Sequence, residues 1–185
     1  MKLLIRGGSI AAGRGVARNY VDILKESLGP RGIDVMNCSR DQETSFDCIG
    51  TFSEDIDSVK PDILVLHFGV DDAFGYVYRS EFQENLVGTI RLARLRFQPI
   101  IFLATSHMFD DPEDMDAVYI FYRSLRIMAG ELDTNLIPVH VYWAGYVNDH
   151  HLVNADLVQG DTRYPNERGH RVIAEAMKPW FDRIR

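Results

Sequence analysis

Five short apolar runs, each bounded by residues that break regular structure, decide what this chain can fold into: KLLIR (2–6), IDVMNC (33–38), DILVLHF (62–68), PIIFLAT (99–105) and LIPVHVY (136–142). All are of strand length, and none alternates cleanly between apolar and polar, the pattern of strands covered on both faces. Between them apolar residues recur at intervals of three and four, the helical period. Val16, Tyr20, Ile23, Leu24 and Leu28 follow that period until Gly29-Pro30 stops the turn. Phe82, Leu86, Ile90, Ala93 and Phe97 follow it again, with Ser80 as N-cap and Gln83 as its capping-box partner. A third helix is expected over about 113–131 and a last one over about 165–182, with Pro165 in its first turn.

Strand and helix alternating in this way imply a parallel sheet, because parallel neighbours need crossover connections that lay helices on both faces. The expected fold is therefore a three-layer α/β/α sandwich on a five-stranded parallel sheet, of the flavodoxin-like kind. With 185 residues, 46% of them apolar, and no linker or repeat, residues 1–185 read as a single domain. In such sheets ligands gather beyond the carboxyl ends of the strands, so the strand ends are where chemistry is sought.

Charge narrows the partners. A net charge of −7 argues against a nucleic-acid groove or an anionic membrane surface, both of which need clustered Lys and Arg. No run approaches the ~18 apolar residues of a membrane span, and MKLLIRGGS lacks the core of a signal peptide, so a cytoplasmic location is expected. The two cysteines, Cys38 and Cys48, form no CxxC pair and read as reduced thiols. No cofactor is called for.

Three strand ends carry the polar residues. After the first strand, RGGSIAAGRG has glycines at 7, 8, 13 and 15, which let the backbone turn tightly around Ser9 and present N–H groups. A phosphate loop of the form GxxxxGK[ST] would need Lys and Ser/Thr where Arg14 and Gly15 stand, and GxGxxG is not matched. After the third strand, HFGVDDAFG puts Gly69, Asp71 and Asp72 at the sheet edge, where one carboxylate can cap the next helix. Before the last helix stands GDTRYPNERGH, with Asp161 three residues ahead of Tyr164.

A Gly-Ser turn, then Gly-x-Asp-Asp, then Asp-x-x-Tyr-Pro-Asn-x-x-Gly-His, in that order over almost the whole chain, resembles the SGNH or GDSL hydrolase family. The resemblance implies an ester or acyl hydrolase acting on a small molecule, with Ser9 as nucleophile and Asp161 as the triad acid. It places the family's histidine at Tyr164 and its oxyanion-hole asparagine at Asp71. The second-block glycine would fall near Ser39, and Gly8 replaces the Asp of Gly-Asp-Ser. Gly8, Ser39 and Gly69 are thus the expected oxyanion or binding positions.

These departures have chemical consequences. A serine hydroxyl needs a neighbouring base, and a phenol with a reference pKa of about 10 is protonated at neutral pH. An ionised Asp71 would oppose a developing oxyanion by roughly 4 kcal/mol at ~4 Å and an effective dielectric near 20, unless a second carboxylate such as Asp161 keeps it protonated. Among replacement bases, His107 follows the fourth strand and ranks first; His150 and His151 precede the final block. His67 reads as a core histidine, His170 as a residue packing the last helix, and His140 as part of the fifth strand. Asp71, Asp161 and one histidine form the set that a divalent ion would use. The competing reading is a catalytically inactive relative whose cleft, with Phe74, Tyr76 and Tyr78 at its edge, binds a small polar ligand such as a saccharide.

Overall fold

The computed structural model describes residues 1–184. Five strands, β1 (Lys2–Gly7), β2 (Asp34–Asn37), β3 (Ile63–His67), β4 (Ile100–Ala104) and β5 (Asn135–Ile137), form one sheet in the order β2-β1-β3-β4-β5. Every pairing is parallel, with Leu3 opposite Val35 and Ile63, and Val65 opposite Phe102. Leu3, Leu4 and Ile5 of β1 and Ile63 to Leu66 of β3 are fully buried, as continuous apolar runs in central parallel strands should be.

Two groups of helices cover the sheet. On one side α2 (Tyr20–Leu28) and α7 (Val139–Asp149) both pack on α8 (Glu167–Phe181); on the other α3 (Ser45–Gly50) and α6 (Pro112–Glu131) both pack on α5 (Arg79–Arg96). Two short helices, α1 (Ser9–Ala12) and α4 (Val70–Phe74), open directly from the ends of β1 and β3. No helix among the described residues is long and apolar enough to cross a membrane.

Several element boundaries differ from the sequence expectation for identifiable reasons. The fifth apolar run is a strand only to Ile137; Pro138 cannot continue a ladder, and the residues after it form α7, so His140 lies in a helix. Helix α2 begins at Tyr20 rather than Val16, because the Asn19 side chain accepts the Val21 and Asp22 N–H groups. Helix α5 starts ahead of Ser80: Tyr78 is the N-cap, and Glu81, not Gln83, returns to its N–H at 3.1 Å. Pro165 stands outside α8, bridging antiparallel to Val158, and Asn166 caps the helix through the N–H groups of Arg168 and Gly169.

One charge sits inside the sheet. Arg6 of β1 has no solvent exposure; its guanidinium pairs with Glu43 and donates to Thr51 Oγ1 at 2.9 Å. Its Nε lies 2.9 Å from Asp55 Oδ2 with its N–H aimed elsewhere, an ion pair without a hydrogen bond. Arg40 closes the group by binding both Asp55 oxygens at 2.7 and 2.9 Å and Glu43 at 3.0 Å. Two acids and two arginines thus neutralise one another and fix the segment from Arg40 to Glu43 against the end of β1.

Candidate active site

Between β1 and β3 the strand order turns back on itself, which opens a crevice at the carboxyl ends of the strands. Ser9, the first residue of α1, and Asp71, in the first turn of α4, meet there. The Ser9 hydroxyl donates to Asp71 Oδ1 at 2.6 Å, and the Ser9 backbone N–H donates to Asp71 Oδ2 at 2.7 Å. A third contact completes the group, the Gln42 N–H donating to Ser9 Oγ at 2.9 Å. Gly8 permits this closeness, since a Cβ at that position would overlap both Asp71 Oδ2 and the Glu43 carbonyl oxygen.

Sequence reasoning missed Gln42. Ser39 was the expected residue on this segment, but its N–H goes to Asn37 Oδ1 and its hydroxyl to the Ile5 carbonyl oxygen, away from Ser9. Gln42 instead takes the left-handed conformation, φ 62°, that turns its N–H toward the serine. With no glycine in NCSRDQET, nothing in the residue types marks that turn; the buried charges holding Arg40 and Glu43 on either side supply it.

Asp71 is proton-loving in this setting. Burial pushes its pKa up, the two Ser9 hydrogen bonds pull it back, and Asp41 nearby pushes it up again. The expected partner for that push, Asp161, plays no such role. It forms a fork with Arg163, Oδ1 to Nε at 2.9 Å and Oδ2 to Nη2 at 2.6 Å, and that hydrogen bonding holds its pKa below the usual carboxylate range. Asp72, the neighbour of Asp71, caps α4 by accepting the Gly69 N–H at 3.0 Å and also accepts the Ser45 N–H at 2.8 Å. Gly69 adopts φ 125°, so it serves the turn into α4.

Tyr164 faces the same cavity of about 300 Å³, which is lined by Gln42, Asp71, Phe74, Gly75, Arg163 and Tyr164. Two guanidinium groups flank its ring, Arg14 at 4.7 Å and Arg163 at 5.8 Å from the centroid. Burial and the Asp71 charge raise the phenol pKa, so Tyr164 is a proton donor and not an acceptor at neutral pH.

Among the described residues no histidine is hydrogen-bonded to Ser9. His107 is fully buried, with Ser106 Oγ at 3.1 Å from Nδ1, the Thr162 carbonyl oxygen at 3.2 Å from Nε2, and the Phe109 ring stacked on it at 4.5 Å. Its ring nitrogens are thus both engaged away from Ser9, and the expectation that it replaces the base is corrected. His67 Nδ1 meets the Tyr20 hydroxyl at 2.8 Å, His170 Nδ1 accepts the Tyr20 N–H at 3.3 Å, and His150 Nδ1 lies against the Tyr146 carbonyl oxygen. Among the described residues no group of three or more His, Cys, Asp or Glu converges as metal ligands would, so Asp71, Asp161 and a histidine do not form such a set. Phe74 lines the cavity beside Ser9, whereas Tyr76 and Tyr78 stand out in solvent.

A model of the GDSL-like Lipase/Acylhydrolase family matches residues 6–172. No curated protein matches the chain. Among solved structures, a catalytic mutant of Axe2, an acetylxylan esterase from Geobacillus stearothermophilus, is similar at 21% identity over 96% of this chain and 92% of that one, TM-score 0.83. LAE5, an alpha/beta hydrolase enzyme from the metagenome of Lake Arreo, Spain, matches at 22% identity over 96% and 93%, TM-score 0.83. TesA matches at 22% over 97% of both chains, TM-score 0.80. At these identities the structures speak for the fold, a parallel α/β sandwich of the SGNH hydrolase type. The family match extends from the buried Arg6 to the core of the last helix, and by it the chain belongs to the GDSL-like lipase/acylhydrolase family.

Proposed function

We propose that this chain is an ester hydrolase in which Ser9 is the nucleophile and Asp71, in place of an imidazole, accepts its proton. The observation that carries the reading is the 2.6 Å contact from Ser9 Oγ to Asp71 Oδ1. As Oγ attacks the ester carbonyl carbon, its proton passes to Asp71; the protonated carboxyl then returns it to the departing alkoxide. Water repeats the two transfers to free the acid. In this reading the N–H groups of Gln42 and Ser9, which meet at Ser9 Oγ and Asp71, serve the developing oxyanion, and the Ser9 N–H becomes available as Asp71 gains its proton. Burial makes Asp71 a better base than an exposed carboxylate, though a weaker one than imidazole, so turnover is expected to be slow.

Tyr164 and Asp161 take other parts in this reading. The phenol donates a hydrogen bond to a substrate oxygen, and Asp161 holds Arg163 at the cavity wall. In Axe2 the catalytic mutants replace a serine, and an aspartate and histidine three residues apart, the spacing of Asp161 and Tyr164 here. The polar lining of the cavity, with the Phe74 and Tyr164 rings as its aromatic faces, suits esters of small polar alcohols, acylated saccharides included. The family match over 6–172 supports reading residues 1–185 as one domain.

Hydrolysis of p-nitrophenyl acetate by the purified chain, by Ser9→Ala and by Asp71→Asn tests the mechanism. Both variants should fall to the uncatalysed background; a wild-type rate no higher than Ser9→Ala removes the enzyme reading. A second reading, an inactive relative that binds a small polar ligand such as a saccharide, is favoured by one observation: Ser9 is fully buried and Asp71 occupies both of its polar groups. Saccharide binding without serine-dependent hydrolysis would select it.

A further inference from the structure

A second cavity, of about 220 Å³, lies beside the edge strand β5 between α6 and the first turn of α7, on elements that the Ser9 cleft does not use. Arg123 and Arg126, one helical turn apart on α6, line it. Neither guanidinium has a carboxylate within ion-pairing distance among the described residues, and no acidic side chain lines the cavity. In a chain of net charge −7, two adjacent cations facing an acid-free hollow run against the general distribution of charge.

The third group is His140. Thr105 Oγ1 accepts the His140 backbone N–H at 3.3 Å and lies 2.8 Å from His140 Nδ1. The Thr105 hydroxyl has two acceptors in reach, His140 Nδ1 at 2.8 Å and the Ile137 carbonyl oxygen at 3.4 Å; donation to the nearer one leaves the ring proton on Nε2, the other side of the ring. The Tyr122 ring, 5.0 Å from the imidazole, holds it in place, while the Tyr122 hydroxyl is already spent on the His107 carbonyl oxygen at 3.0 Å. The cavity therefore offers hydrogen-bond donors from two guanidinium forks and one imidazole, with no opposing carboxylate.

We propose that this cavity binds the phosphate group of a small phosphorylated molecule. Two fixed positive charges match a dianion, and three donor groups match a tetrahedral oxyanion with three free oxygens better than a carboxylate with two. Tyr119, its ring edge-on to His140 and nearly half exposed, forms the outer wall against which the rest of such a ligand rests.

The test is a titration of inorganic phosphate, and separately of acetate, into the full isotope-labelled chain, followed by NMR at the His140 ring and at residues 119–126 and 138–141. Saturation at millimolar phosphate is expected, weakened about tenfold in each of Arg123→Ala and Arg126→Ala, and unchanged in Ser9→Ala. Both arginines are exposed, so the variants keep the fold, which unchanged spectra away from the cavity will register. Absence of saturation, or equal affinity in the double arginine variant, overturns the proposal; equal binding of acetate overturns the assignment to phosphate. Sedimentation of the same samples covers the remaining outcome. If phosphate has no effect and the double variant turns a dimer into a monomer, then the exposed Tyr119, Ile120, Val141 and Tyr142 mark a contact between copies, and the phosphate site is refuted.

Discussion

Across the cavity beside Ser9, two walls face each other with opposite character. On the β1–β3 side, Ser9 is buried, both of its polar groups bind one carboxylate, and the loop carrying Gln42 is tied to a fully buried arginine. On the other side, Asp161 and Arg163 form an ion pair whose members are each 40% exposed, and the buried Tyr164 ring lies between two arginines. The loop before the last helix carries Tyr164 three residues after Asp161, and among the described residues the acid hydrogen-bonded to the serine comes from the end of β3. The difference teaches that a parallel sheet brings distant strand ends together whichever residue types stand there.

The largest expected effect breaks the ordered wall from below. Arg6→Met leaves Glu43 and Asp55 facing each other in the interior without their buried counter-charge, and should cost about 3–5 kcal/mol in urea unfolding. A loss under about 1 kcal/mol would mean that Arg40 alone neutralises the pair and that the loop is not held from within. Next comes a change that would make the two walls cooperate. Tyr164→His with Asp71→Asn restores an imidazole on one side and an amide donor on the other, and should raise p-nitrophenyl acetate hydrolysis about 100-fold over either single change. No gain from the pair would show that the tyrosine position does not reach the serine.

An effect of comparable size concerns three buried histidines. Burial lowers the pKa of His67 to about 3, of His107 to about 4 and of His170 to about 4. Below the unfolded value of ~6.5 the unfolded chain binds protons that the folded chain refuses, so stability is full above that pH and falls as pH drops toward 4. Each histidine contributes a loss approaching ~1.4 kcal/mol per pH unit. Urea midpoints at pH 7 and pH 5 should differ accordingly, and a His107→Gln variant should show a reduced difference. The smallest effect belongs to the exposed wall. Asp161→Asn should change stability by less than about 1 kcal/mol and hydrolysis by only a few-fold, because an exposed ion pair is weak and no imidazole depends on it.

The framework was legible because period and burial speak together. Five apolar runs became five parallel strands, and the order of the Ser9, Asp71 and Asp161 blocks pointed to the family that the chain belongs to. What escaped was set by tertiary contacts. VHVYW after Pro138 is as apolar as a strand, and only the proline and the neighbouring α8 make it a helix. Gln42 is a left-handed residue without the glycine that usually announces one, and Ser39, three residues earlier, turns its polar groups to Asn37 and Ile5 instead. The two hydrogen bonds that Asp71 accepts from Ser9 are not legible in the sequence, since residue type reveals a charge but not which donors it will meet. His107 satisfied the rule that sites follow strand ends, yet its neighbours turned it into a buried histidine.

The most direct test of the account is the pH dependence of serine-dependent p-nitrophenyl acetate hydrolysis in the wild-type chain and in Asp71→Asn. With Asp71 as the proton acceptor, the wild-type rate should rise through a single ionisation above the ordinary aspartate range and then level, and Asp71→Asn should lose at least about 100-fold at the plateau. An Asp71→Asn chain that hydrolyses the ester as fast as the wild type, or faster, would contradict the assignment of Asp71 as the base.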